Sequence, residues 1–247
     1  MTIKSVAATY REFGVVKLDG FFEPSELVAI KHVVEQFHQL WCADNQEFYS
    51  TRAINSSGLT SGQYLTNKQR LLLFQLVCHR QLLSAVKQVI PQPLFVGTQL
   101  FFDPVNPKQP NYWHRDSQYD LSIEDQKLAL EGPEPLHVRI PLTADPGIEV
   151  IPGSHKAWDS NEELQVRLEL NGHNNSEDLP NGLEIPLQLG DTLIFSANMI
   201  HRGLYGNNRL VLDLLYCQRD TQLTKFIQVP HQPSAQMLPY LDRDLFL

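Results

Sequence analysis

From residue 94 onward the chain is a succession of short apolar segments, each closed by turn residues. LFVGTQLFF at 94–102 reads as a strand, and LHVRIPL at 136–142 as another, closed by Pro141 and Asp145-Pro146-Gly147. IEVIPG at 148–153 is shorter. LEIPLQL at 183–189 runs into Gly190-Asp191 and TLIFSA at 192–197 follows at once, which predicts a tight hairpin. RLVLDLLYC at 209–217 is the last strong strand, and TKFIQV at 224–229 reads as an edge. Strands this short and this numerous point to a β-sandwich or barrel.

Helices precede the strands. FGVVKLDGFF at 13–22 is a short strand ending at Asp19-Gly20. Glu23-Pro24-Ser25-Glu26 then opens a helix, with proline in its first turn and acids near its positive end. Leu27, Ile30, Val33, Val34, Phe37, Leu40 and Trp41 follow at helical spacing. Residues 43–66 are polar and read as a loop; 67–90 reads as one helix stopped by Pro91 and Pro93. The expectation is one domain over 1–247, mainly β with flanking helices: a helical part at about 1–92 and a barrel at about 93–230. Two polar insertions interrupt the strands, 117–135 with a short helix near 122–130, and 154–182. Insertions of this length in a compact domain tend to carry function, and both are expected to shape the mouth of a site.

Charge narrows the partners. The net charge is −8, which argues against nucleic acid or an anionic membrane, since both require a surplus of Lys and Arg at the contact. Cys42, Cys78 and Cys217 form no CxxC and suit reduced thiols in a cytoplasm. The opening residues lack the apolar core of a signal peptide, and no run of about 18 apolar residues exists to span a membrane. A cytoplasmic protein acting on a small molecule is the expectation, with its oligomeric state open.

The chemistry concentrates in two places. PNYWHRDSQYD contains His114-Arg115-Asp116. In an extended segment residues i and i+2 point the same way, so His114 and Asp116 can offer an imidazole and a carboxylate to one metal while Arg115 points elsewhere. A lone HxD is common and ordinarily means a loop histidine beside a solvated aspartate. Here GDTLIFSANMIHRG brings a second histidine, His201, at a strand end, and Arg209 opens the next strand. HxD, a distant His and a following Arg form the pattern of the two-His, one-carboxylate facial triad of non-haem iron. Such a triad leaves coordination positions for a bidentate 2-oxo acid and dioxygen. Arg209 suits the far carboxylate of 2-oxoglutarate, because its planar fork matches a carboxylate.

These residues resemble the phytanoyl-CoA dioxygenase family of iron(II)/2-oxoglutarate oxygenases. The resemblance runs through REFGVVKLDGFFEPSEL, TQLFFDPVNPKQPNYWHRD, HVRIPLTADPGIEVIPGSHKAW and GDTLIFSANMIHRG, in that order. It implies a double-stranded β-helix, or jelly-roll, of cupin type. It also implies iron(II) held by His114, Asp116 and His201, with 2-oxoglutarate and O2 as co-substrates and hydroxylation of an unactivated C–H bond as the outcome. Related halogenases lack the carboxylate, so Asp116 favours hydroxylation. Gln99 falls where the family tends to place a polar pocket residue, and joins Arg209 as a cofactor-binding candidate. Two departures stand out: His201 and Arg209 are closer in sequence than the family leads one to expect, and Arg139 replaces an aromatic or apolar residue.

Arg139 shares a strand face with His137 and Thr143, opposite Val138, Ile140 and Leu142. It is a substrate-binding candidate if that face lines the barrel, and a surface salt bridge if not. Trp113, beside His114, is a weaker substrate-binding candidate, since core packing accounts for most such tryptophans. Asp213 shares the face of Arg209, where it is either a group that orients Arg209 or a half-exposed strand residue. His155, after the Pro-Gly-Ser turn, reads as structural. Two alternatives remain: a cupin-like metal enzyme that does not use 2-oxoglutarate, and a non-catalytic binding or sensor module on the same fold.

Overall fold

The computed structural model describes residues 5–247; the first four residues, part of the N-terminal stretch read above, lie outside the description. Helix α1 (Val6–Phe13) is capped by Ser5, whose hydroxyl accepts from the Ala8 amide at 3.2 Å, and ends on Gly14 in the left-handed region. Strand β1 (Val15–Leu18) leads to α2 (Pro24–Asp44), where Pro24 opens the helix and Glu26 accepts from the Glu23 amide at 2.8 Å. The apolar stripe of α2 is buried as its spacing predicts, except Leu40, which stays exposed.

The expected loop at 43–66 holds structure: α3 (Gln46–Thr51) and β2 (Asn55–Ser57). Its polar composition hides them, because β2 is a three-residue edge that pairs with the long strand β3 (Pro93–Phe102). The helix expected at 67–90 is two, α4 (Asn67–Val77) and α5 (Arg80–Val86), broken at His79 in a non-helical conformation.

The remaining elements are α6 (Ile123–Ala129), β4 (Pro135–Pro141), β5 (Asp145–Val150), α7 (Asn161–Arg167), β6 (Leu183–Leu187), β7 (Thr192–Ser196), β8 (His201–Gly203), β9 (Leu210–Gln218) and α8 (Thr221–Thr224). They form two antiparallel sheets, in the orders β1-β7-β4-β9-β3-β2 and β6-β5-β8. The chain alternates between the sheets from β6 to β9, as a jelly-roll requires. This overturns the expected β6–β7 hairpin: β6 pairs with β5, and β7 with β1 and β4. Gly190, at φ +98°, and Asp191 make a corner between the sheets. Asp191 accepts from the amides of Gln188 and Gly20, both at 2.9 Å. The edge strand expected at 224–229 is also absent. Asp220 caps α8 through the Gln222 amide at 2.8 Å, and Pro230 sits in a short 3-10 turn that follows.

The larger sheet is buried on both faces. Val138, Ile140, Leu142, Leu212 and Leu214 pack outward against α2, α4 and α5 in the main apolar core. The opposite face carries His137, Arg139 and Asp213, all buried polar groups. The smaller sheet closes over part of that face, packing Ile148, Val150 and Leu187 against Val15, Leu193 and Phe195 of β1 and β7. No helix among the described residues is long and apolar enough to cross a membrane, and the three cysteines are free thiols.

Candidate metal centre

The site begins with a backbone pairing. His114 and His201 form an isolated antiparallel bridge, each amide donating to the other's carbonyl at 2.9 Å. Paired residues in such a bridge project to the same side, so two imidazoles 87 positions apart in sequence meet with ring centroids 4.2 Å apart. The Nδ1 of His201 lies 2.9 Å from the Met199 carbonyl, and that of His114 lies 3.2 Å from the Tyr112 carbonyl. Each carbonyl accepts from Nδ1–H, which turns the Nε2 lone pair inward. Asp116, whose amide donates to the Ala197 carbonyl, places Oδ1 3.5 Å from His114 Nε2 and 3.7 Å from His201 Nε2. One ligand atom from each residue falls within 4.8 Å of the others, a spacing that fits one metal ion. The donor set, two imidazoles and one carboxylate, suits a divalent first-row metal.

Electrostatics favour metal over protons. Burial, reinforced by the charge of His114, pushes His201 down to about 3, so it is neutral and its lone pair available at pH 7. Burial alone would raise Asp116, but His137 and the two metal-site histidines hold it well below the usual carboxylate range.

Arg115 does point away. It is fully buried, donating to Asp159 from Nε at 2.9 Å and from Nη2 at 2.7 Å, and to the carbonyls of Ser154, Ala157 and Asn198. Arg167 reaches the other oxygen of Asp159 from Nε at 2.8 Å. Insertion 154–182 therefore braces the metal loop from behind and lines neither cavity described here. Insertion 117–135 does line one, through α6.

The triad opens into a cavity of about 350 Å³ whose walls include Gln99, Phe101, Arg139 and Arg209. Both arginines are buried, with guanidinium carbons 4.6 Å (Arg139) and 5.6 Å (Arg209) from the Phe101 ring centre. Arg209 pairs through Nε with Asp145 Oδ1 at 2.9 Å. Gly147, at φ +92°, offers Arg209 its carbonyl at 3.4 Å, and a side chain there would collide with the Ile185 carbonyl. Asp213 does not orient Arg209 as expected from their shared face. It lies directly opposite Arg139 in the β4–β9 register and holds it by two bonds, Nε to Oδ1 at 2.8 Å and Nη2 to Oδ2 at 2.9 Å. Arg139 Nη1 is buried without a partner, an unspent donor in the wall of the cavity. Arg139 is thus on an interior face.

Sequence reasoning gave no role to His137. Its Nε2 lies 2.7 Å from Asp116 Oδ2 and its Nδ1 3.0 Å from Asp213 Oδ2. Burial opposes its protonation, but the two carboxylates outweigh burial and lift it to about 9. Arg139, Asp213, His137 and Asp116 thus form one buried chain ending at a metal ligand. The available signal was alternation, which puts His137 on the face of Arg139. Trp113 is not brought to the site: it is fully buried, donates from Nε1 to the Glu177 carbonyl at 2.9 Å, and stacks under Arg202. His155 is likewise buried, edge-on to Tyr10 and apart from the triad.

A sequence model of the family described as phytanoyl-CoA dioxygenase (PhyH) matches residues 10–207. No curated protein matches by sequence. Among solved structures, HygX from Streptomyces hygroscopicus, with nickel and 2-oxoglutarate bound, aligns with a TM-score of 0.59 at 15% identity, over 85% of this chain and 84% of that one. SnoK, a non-heme alpha ketoglutarate dependent carbocyclase from nogalamycin biosynthesis, aligns with a TM-score of 0.57 at 17% identity, over 95% and 93%. EctD from S. alaskensis with bound Fe gives 0.58 at 15% identity, over 88% and 79%. At these identities the likeness speaks for a shared fold.

Proposed function

The chain belongs to the phytanoyl-CoA dioxygenase family, and from that premise we propose that it is a mononuclear iron(II), 2-oxoglutarate-dependent dioxygenase that hydroxylates an unactivated C–H bond of a small molecule. The observation that carries this reading is the convergence of His114, Asp116 and His201 on a cavity whose wall also holds two buried arginines.

When bound, iron(II) and 2-oxoglutarate supply the oxidising chemistry, consuming O2 and releasing succinate and carbon dioxide. The protein's part is placement. His114 and His201 present Nε2 atoms fixed by carbonyls behind them. Asp116 offers Oδ1 while His137 holds Oδ2, so the carboxylate is pinned in one orientation. Arg209 receives the distal carboxylate of 2-oxoglutarate. It is held by Asp145 and the Gly147 carbonyl, which fix its fork before any ligand arrives. Gln99, on the neighbouring strand and in the same cavity, is a polar contact for the co-substrate. Asp116 would be the third protein ligand to the metal, the carboxylate that related halogenases lack, and its presence favours hydroxylation over chlorination. The carbocyclase activity named for SnoK marks ring closure as the competing outcome on this fold.

The test is the visible spectrum of protein given iron(II) and 2-oxoglutarate without oxygen. Expected is a weak charge-transfer band in the green that vanishes in His114→Ala and weakens in Arg209→Ala. Bound iron without a band in the parent would overturn the use of 2-oxoglutarate and favour a cupin-like metal enzyme. Once a substrate is in hand, a product heavier by one oxygen atom distinguishes hydroxylation from desaturation or ring closure.

A further inference from the structure

A second, larger cavity of about 940 Å³ adjoins the metal centre, sharing Gln99, Asp116, Asp120 and His137 with the first. It lies toward the opposite end of the β4 and β9 strands from Arg209. Its walls include Pro135, Leu136, Leu215, Tyr216 and Cys217 there, where the smaller cavity takes Arg139 and Arg209. The floor is apolar: Leu215 and Cys217 stand on the face of Asp213, with Cys217 2% exposed, while Leu136 and Tyr216 turn to the main apolar core behind it. One flank is α6 of insertion 117–135, with Leu128 and Ala129, and the other is the segment after β9, with Leu223 and Phe226. Leu128 and Phe226 are exposed, 61% and 42%, so apolar surface continues out to the rim. The volume lies at the upper end of what drug-sized ligands occupy.

Charge on the walls is lopsided. Apart from the metal ligand Asp116, three carboxylates, Asp120, Asp125 and Glu131, face one ammonium, Lys225. Asp120 and Glu131 make no ion pair among the described residues. Both arginines near the metal stand in the smaller cavity, each already facing a carboxylate. An anionic substrate here would therefore lose its hydration and meet net negative charge, with Lys225 as its one uncommitted cation, since His137 is already bonded at both nitrogens to Asp116 and Asp213. A coenzyme A thioester, with its several phosphate charges, needs clustered Arg and Lys that these walls do not provide.

We propose that this chamber takes the primary substrate, and that the substrate is a bulky apolar molecule without anionic groups, carrying a basic nitrogen that meets Asp120 and Glu131 at the rim. The inference rests on the oxygenase reading in one respect: the chamber's boundary with the metal centre makes it the place where the oxidised C–H bond lies. The apolar floor takes the body of the molecule, and the acids orient it so that the end remote from the nitrogen is buried toward Asp116.

Four probes of one shape test this: 1-naphthylmethylamine, 1-naphthylmethanol, 1-naphthoate and 1-naphthoyl-CoA. Their equilibrium binding is followed by calorimetry, on metal-free protein and on protein loaded with iron(II) and 2-oxoglutarate without oxygen. The amine is expected to bind about tenfold more tightly than the carboxylate, with the alcohol between and the thioester weakest. Asp120→Asn with Glu131→Gln, both surface changes, removes the amine's advantage and leaves the alcohol unchanged. Leu215→Trp fills the chamber and weakens amine and alcohol alike. Equal or tighter binding of the carboxylate or thioester overturns the proposal. So does absence of binding by every probe, or amine binding that survives Leu215→Trp. These outcomes are independent of the charge-transfer band: a band with the wrong probe order refutes the substrate class alone, and the right order without a band refutes the oxygenase reading alone.

Discussion

His137 shows how much one buried side chain can decide. A carboxylate has two equivalent oxygens, and a metal site works best when one is committed to the ion and the other is not free to swing. His137 supplies that constraint at 2.7 Å from Asp116 Oδ2, and Asp213 at 3.0 Å fixes His137 in turn. Outer contacts of this kind are worth about 10–100-fold in metal affinity. His137→Leu keeps the bulk but leaves Asp116 Oδ2 without its donor, so a loss of that size is expected in an iron(II) or zinc titration. His137→Gln keeps a donor and is expected to recover part of the loss. Unchanged affinity in the leucine variant would show that Asp116 needs no such support.

At the scale of elements, the corner between β6 and β7 carries more than its length suggests. Asp191 gathers the amides of Gln188 and Gly20 and the ammonium of Lys17 at 3.1 Å, joining the two sheets to the segment before α2. Burial alone would raise its carboxyl, but those amides and Lys17 outweigh burial and hold it below the ordinary range. A carboxyl depressed on folding stabilises fully above its unfolded pKa of about 3.9, and that stabilisation is lost as pH falls through the lower folded value. Asp191→Ala is therefore expected to cost about 1–3 kcal/mol at pH 7 in denaturant unfolding. The gap between variant and parent should narrow below about pH 4. A gap independent of pH would assign the effect to packing. The same corner explains why the hairpin expectation fails. Gly-Asp between two apolar runs is a turn signal in either case, and only the pairing partners β5 and β4 decide which way the chain goes.

Across the whole molecule, the two insertions divide the labour. Insertion 117–135 walls the larger cavity, while 154–182 is tied to the metal loop through the fully buried Arg115–Asp159–Arg167 cluster. Asp159→Ala would leave two buried guanidinium groups without their shared carboxylate. A loss of about 3–5 kcal/mol is expected in urea unfolding, with weakened metal binding because Arg115 lies between the two ligands. Metal acts on the global equilibrium as well. A divalent ion at about 100 times its Kd adds about 2.7 kcal/mol to the folded state, so zinc or iron(II) should raise the melting temperature of the parent and leave that of His201→Ala unmoved.

The chain itself determined the elements whose causes are local. The α2 stripe, the strand alternation and the HxD pair each depend on neighbours a few residues away. So does the fact that Val138 and His137 face opposite sides of β4. The distal ligand was legible because a histidine soon after an apolar strand is a local feature, although its place at the start of β8 rather than the end of β7, and its meeting with His114, are not. What tertiary structure alone decided is which polar groups answer one another. Arg139 takes Asp213 because strand register sets them opposite each other across about 74 positions, and Arg209 takes Asp145, about 64 positions away, because the two sheets pack together. His137 reaches Asp116 because the bridge at His114 and His201 lowers the metal loop onto that strand, and Trp113, one residue away, is turned into the core. A strand's sequence fixes which face each side chain takes, but its partners and their offset come from packing two sheets together, and the partners of every buried charge follow from that.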